Sequence, residues 1–285
     1  TTCSIWTMGA PAAELAAAFA ERAPALREYD ASRRGAKQLR AKLVLEHGEY
    51  LARTVSQALD LLRTAPDGDD VGALLGCAHE AAMLVLTLKA FASPAPEKLC
   101  YNVAARCVAR RSASPALELT RALVAALRKA PKGAKAKGAE ADGEGAGMNE
   151  ASELAPLGGE GADVAELALS ALCLRLRALE GVGDDEARAP LDAAVGAALG
   201  WARSLRGQCG GRKENRPQQG AHMPTPPACE RAWPSLKAAL ARLGGGGGME
   251  AEARDVCGRA AAGAAVGAAV GSASGAAPAV ESAEA

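Results

Sequence analysis

The chain has 285 residues, of which 49% are hydrophobic but only 3% aromatic. It is therefore long enough for one large domain or two small ones, with a core built from leucine and valine along helices rather than from large rings. Lys+Arg and Asp+Glu both number 33, so the net charge is zero, which removes the global electrostatic argument for a nucleic-acid or membrane partner.

Helical signals begin near residue 11. In "KQLRAKLVLEHGEYLARTVSQALDLLRTA", Leu39, Leu43, Leu51, Val55, Leu59 and Leu62 recur at three- and four-residue steps, the spacing of one helix face. A long amphipathic helix is expected there, ending before Pro66. "PDGDD" is a turn, with Asp69 or Asp70 as N-cap of the next helix. That helix, "DVGALLGCAHEAAMLVLTLKAFA", is apolar on nearly every side, so a central position is expected. His79, Glu80 and Lys89 interrupt it and favour a buried core helix over a membrane span.

"SPAPEKLCYNVAARCVARR" supplies a further helix with Leu99, Val103, Cys107 and Val108 inward. "SPALELTRALVAALRKAP" restarts at once, with Ser114 expected as N-cap, Pro115 at the first helical position, and Leu119, Leu123 and Leu127 as the stripe. Short breaks between amphipathic helices make antiparallel neighbours. The fold class expected is all-α: an antiparallel helix-hairpin array or bundle, tetratricopeptide-like, over residues 1–130.

Residues 131–162 lack apolar periodicity and are expected to be a disordered linker. "DVAELALSALCLRLRALEG" follows, with Asp163 and Glu166 at capping-box spacing. Another helix is expected to start at Pro190 and end near Gly207. The pair over 163–207 cannot bury both stripes alone, so docking on the first array is expected. Residues 208–232 form a flexible linker, 233–243 a short helix opened by Trp233-Pro234, and 244–285 a low-complexity tail in which only "MEAEARDVCGRA" has helical character. Within that tail, the uncharged run 260–280 is mostly Ala and Gly, whose small transfer energy argues against a membrane span.

Eight cysteines occur without a CxxC pair, against a disulfide framework or structural zinc site and in favour of a reducing compartment, cytoplasmic or nuclear. Cys209, His222 and Cys229, with Cys257 recruited as a fourth ligand, are the candidate zinc set, at a spacing that matches no zinc module. A cofactor pocket around Cys77, His79 and Cys107 is the remaining alternative. His79 lies two residues from Cys77, so the two project to different parts of the helix rather than pairing as nucleophile and base. His47, beside the leucine stripe, is expected to be structural. No catalytic, metal-ligating or cofactor-binding residue is assigned, and no cofactor is expected. The chain starts without Met or a signal-like segment and is expected to be a piece of a longer protein.

One motif carries a functional expectation. Lys213-Glu214-Asn215, flanked by Gly210, Gly211 and Pro217, resembles the KEN degron, which implies recognition by the WD40 co-activators of the anaphase-promoting ubiquitin ligase. "EKLCYNVAARCVARRSASPALELTRALVAAL" is similar in size to a tetratricopeptide unit, but Cys, Thr and Leu fill the large aromatic positions and no second copy stands in register. The order "TLKAFASPAPEKLCYNVAARCVARR", "SASPALELTRALVAAL" and "DVAELALSALCLRLRAL", over roughly residues 50–180, resembles the N-terminal helical region of separase. That resemblance implies a superhelical scaffold binding an inhibitory chaperone, without the protease domain. A non-enzymatic scaffold for protein–protein interaction is therefore expected, with a protein partner on its helical surface.

Overall fold

The computed structural model describes residues 10–31, 37–64, 69–87, 96–128, 150–157, 161–210, 225–244 and 247–257. Every described element is a helix: α1 (Ala10–Ala31), α2 (Lys37–Thr64), α3 (Asp69–Thr87), α4 (Pro96–Ala109), α5 (Ala113–Leu127), α6 (Glu150–Leu154), α7 (Ala162–Leu179), α8 (Asp184–Gly210), α9 (Pro227–Arg242) and α10 (Gly247–Cys257). The all-α class is as the apolar spacing requires.

Of the expected α2 stripe, Leu51, Val55 and Leu62 are fully buried and Leu59 is half-buried; Ala58 takes its place in the core, giving steps of four, three and four that keep the buried positions on one side. Helix α3 is central, touching α1, α2, α4 and α5. Val71, Leu74, Leu75, Ala78, Ala81, Ala82 and Val85 are buried around it. Alanine contributes more than its small area alone predicts. Ala78, Ala81, Ala104, Ala116, Ala168, Ala171, Ala194 and Ala198 are all fully buried, so helix axes approach closely and the leucines beside them fill the remaining space.

Leaving α6 aside, each helix packs on the next and the next but one in the series α1, α2, α3, α4, α5, α7, α8, α9, α10, with one exception. Helices α5 and α8 do not pack on one another; α6 lies between them and touches both. Helix α7 packs on α4 and α5 and so joins the later helices to the earlier ones.

Several helix boundaries differ from expectation. The chain leaves α4 with Ser112 N–H donating to Cys107 O (2.8 Å) and Arg111 N–H donating to Val108 O (3.0 Å), the two bonds of a Schellman closure. Helix α5 therefore starts at Ala113 with Ser112 as N-cap, and Ser114 and Pro115 lie inside its first turn. Helix α7 has Gly161 as N-cap, so Asp163 sits within the first turn rather than in a capping box. Pro190 does not start α8, nor does Trp233-Pro234 open α9: both prolines lie inside helices that begin at Asp184 and Pro227. Tertiary packing outweighs the lost backbone bond. Ala187 and Leu191 are buried on either side of Pro190, and Ala232 and Leu236 on either side of Pro234.

Three stretches assigned to linkers and tail are packed, one of them residues 227–232 at the start of α9, where Ala228, Cys229 and Ala232 are buried. Residues 150–157 hold α6, with Leu154 fully buried, and Gly247–Cys257 forms α10, with Ala253, Val256 and Cys257 buried. Helix α10 packs on α8 and α9.

The Schellman turn places Arg111 at φ 55°, a left-handed conformation that Cβ sterics disfavour. Arg111→Gly is expected to raise unfolding free energy by about 1 kcal/mol; a loss in urea denaturation would show that the guanidinium holds the turn instead.

Candidate protein-binding cleft

The gap between α5 and α8 is the most elaborated polar feature of the array. Residues 150–157, "EASELAPL", lie in it. At the N-terminal end, Arg175 of α7 pairs with Glu150 and donates from Nη1 to Leu117 O of α5 (2.8 Å). Three residues on, Arg121 of α5 pairs with Glu153 and donates from Nε to Glu153 Oε2 (2.9 Å). Arg128, just beyond the C-terminus of α5, donates to Glu153 O.

Leu154 is the apolar anchor, fully buried. Its carbonyl accepts from the indole Nε1 of Trp201 on α8 (2.8 Å), itself fully buried. Pro156 then crosses Gly200: a Cβ added there would lie 3.0 Å from Pro156 Cδ. Only glycine lets the proline ring sit so close to the α8 backbone without a shift.

The electrostatics are not balanced. Three guanidinium groups (Arg121, Arg128, Arg175) meet two carboxylates (Glu150, Glu153). Arg175 is 4% exposed, and burial, with the Arg121 charge nearby, draws its guanidinium down to about 10. It remains a cation at neutral pH. Its Nε and that of Arg128 are buried with no hydrogen-bond partner among the described residues, so this cleft has more cationic donor capacity than α6 satisfies.

A second concavity of about 530 Å³ opens where the α4–α5 turn meets the end of α7. Val108, Arg111, Arg177 and Glu180 line it. Nearby, Arg242 of α9 ties the α7–α8 turn, donating to Leu179 O (2.6 Å), Val182 O (2.7 Å) and Asp184 Oδ1 (2.9 Å). That single side chain satisfies carbonyls at the end of α7 and braces the acidic first turn of α8.

The residues singled out in the sequence are distributed differently. Lys213, Glu214 and Asn215 lie outside the described residues, as do His222, the run 260–280 and the side chain of Cys209. Cys229 and Cys257 do meet, on α9 and α10. The Cys257 thiol donates to the Cys229 sulfur, which draws Cys229 down and pushes Cys257 up. Cys173 of α7 lies near both, yet among the described residues no His/Cys/Asp/Glu group is arranged to hold a metal. His79 Nε2 lies 3.1 Å from Glu118 Oε2 without the alignment of a hydrogen bond. No described helix is long and apolar enough to cross a membrane.

Burial pushes Cys77 and Cys107 up to about 11 and Cys100 and Cys173 to about 12, Glu80 and Glu97 adding to the first and third. Native protein at pH 8 is expected to resist iodoacetamide at these four positions, since the thiolate is the reacting form. Differential alkylation read by mass spectrometry checks it; labelling of the native chain as fast as of the denatured chain contradicts it. The same shifts set an alkaline limit. Unfolded thiols ionise near the ordinary 9.0 while folded ones stay protonated to 11 or 12. Stability is therefore full below pH 9 and falls as pH rises through that window.

No family model, curated protein or solved structure matches this chain. What the cleft can do must be argued from its own chemistry. It holds residues 150–157 through two carboxylates, one aliphatic anchor, two backbone carbonyls and a proline. The sequence reading missed it because a five-residue helix with one buried leucine has no period to detect.

Proposed function

We propose that the chain is a non-enzymatic α-helical scaffold for protein–protein interaction. The observation that supports this best is the stacking mode: helices pack on their near neighbours in the series, so the array grows along one direction. Arrays of this kind present long surfaces formed from successive helices, to which extended partners bind. The protonated state of Cys77, Cys100, Cys107 and Cys173 at neutral pH further favours a packing role for these thiols over nucleophilic catalysis.

The test is affinity enrichment from cells followed by reconstitution of the pair from purified components. A direct complex that survives purification is expected. Failure to recover any direct partner, together with turnover of a small substrate by the purified chain, overturns the reading.

Regulation is placed at Lys213, Glu214 and Asn215, between α8 and α9 in the chain, in the cytoplasm or nucleus. The support is the tripeptide itself, set among glycines and Pro217. Changing all three to alanine is expected to lengthen the protein's lifetime at mitotic exit, measured by cycloheximide chase in synchronised cells. An unchanged lifetime removes the degron.

A second reading is a scaffold segment of a larger separase-like cysteine protease, and its support is the order of the three sequence stretches over roughly residues 50–180. Sequencing the transcript downstream for a protease domain tests it.

A further inference from the structure

We infer that the cleft between α5 and α8 is a recognition site for a partner protein's peptide of the form Glu-x-x-Glu-Leu-x-Pro, and that residues 150–157 occupy it as an internal copy of that ligand. This inference rests on the scaffold reading and names one partner chemistry for it.

Three observations converge. The stacking rule of the array is broken at one place, where α5 and α8 fail to pack and α6 stands between them. Helix–helix packing elsewhere is dominated by leucine, valine and alanine, whereas this joint is made through side-chain recognition of a peptide. Arg175 and Arg121 read two carboxylates three residues apart, and Arg128 and Trp201 read the backbone carbonyls of Glu153 and Leu154. A socket takes the leucine, and Gly200 admits a proline two residues on.

Second, the cleft walls come from elements that pack independently of α6: α7 packs on both α5 and α8. Third, among the described residues the charge is uneven, with three guanidinium groups against two carboxylates and two buried Nε groups unpartnered. The walls can thus accept a ligand at least as acidic as the resident one. An acidic peptide with a leucine anchor and a following proline fits this better than a nucleic acid or lipid headgroup, because each of those lacks the leucine and proline features that the cleft reads.

The resident segment is tethered at both ends, by residues 129–149 and 158–160. Covalent attachment makes its binding intramolecular, so an outside peptide binds weakly until the resident one is weakened. Occupancy in cis thereby sets the threshold for binding in trans.

The experiment uses the full chain and a fluorescein-labelled peptide EASELAPL, with its scrambled counterpart as control, read by anisotropy. In the variant carrying Glu153→Gln and Leu154→Ala, the peptide is expected to bind at least about 10-fold more tightly than to the unaltered chain. The scrambled peptide is expected not to bind. Adding Arg121→Gln to that variant should weaken peptide binding by about 10-fold, since it removes a charge-assisted bond from the wall.

A variant that keeps its helical circular dichroism and cooperative melt but gains no affinity overturns the inference. So does a dimer, seen by sedimentation, that exchanges residues 150–157 between copies and is not dissociated by the peptide. If the double variant unfolds, a photo-crosslinking peptide with benzophenone at the leucine position is applied in excess to the unaltered chain. Adducts on α5, α7 or α8 support the site, and their absence overturns it. A chain that still forms a direct complex with a partner while failing these tests retains its scaffold role and loses this ligand.

Discussion

Trp201→Ala is expected to lower unfolding free energy by about 3–5 kcal/mol, a large fraction of what holds a typical domain folded. The indole is fully buried in α8 and is the largest side chain in the core to be so. Truncation leaves a cavity that surrounding helices fill only in part, and it removes the donor to Leu154 O. The two effects separate in large part in Trp201→Phe, which keeps most of the volume and loses the N–H together with part of the ring. That change is expected to cost about 1–3 kcal/mol, the range for leaving a buried acceptor unpaired. Urea denaturation of both variants distinguishes them; a negligible loss in Trp201→Phe beside the full loss in Trp201→Ala would mean that the carbonyl finds water and that packing alone decides, whereas equal losses would mean that the hydrogen bond decides.

The second large effect concerns Arg175. Glu150→Ala leaves a cation 4% exposed without its carboxylate. Breaking a fully buried pair from one side costs about 3–5 kcal/mol. Glu150 keeps 29% of its side-chain surface, so water screens part of the charge and a loss of about 2–3 kcal/mol is expected. Combining Glu150→Leu with Arg175→Met removes both charges and is expected to recover most of that loss. A double-mutant cycle measures the coupling. If the charge-free pair is no more stable than Glu150→Ala alone, the arginine contributes mainly through its bond to Leu117 O.

How far the fold was legible depended on the length of each period. Helix α2 shows four fully buried positions in register, and α3 is apolar on so many sides that its central place followed at once. The start of α5 was displaced by two residues because Ser114-Pro115 matches a local helix-start pattern, while the Schellman closure at Arg111 and Ser112 depends on φ at one non-glycine residue. Pro190 and Pro234 misled in the same way. Local start signals yield where flanking residues such as Leu191 and Leu236 are driven into the core and the helix begins earlier.

The cleft was illegible for a different reason. Arg121, Arg128 and Arg175 look like ordinary solvated charges when read along α5 and α7. Only the approach of residues 150–157, far in the chain from each of these arginines, turns them into a set. One signal was present: Glu-x-x-Glu-Leu-x-Pro stands out within a stretch otherwise rich in Gly and Ala. Helix α10 was visible only as "MEAEARDVC", because the glycine run before it masks a start whose stability comes from α8 and α9.

The place of α6 also bears on how the array responds to force. Helices α1–α5 and α7–α10 meet through α7 lying on α4 and α5, and through the short α6 propped between α5 and α8. A joint made on one side bends like a hinge, and a prop on a second side makes it a braced corner. Bending stiffness at the middle of the array is therefore set by whatever fills that gap, so exchanging the resident segment for a looser or longer one changes the curvature of everything on either side.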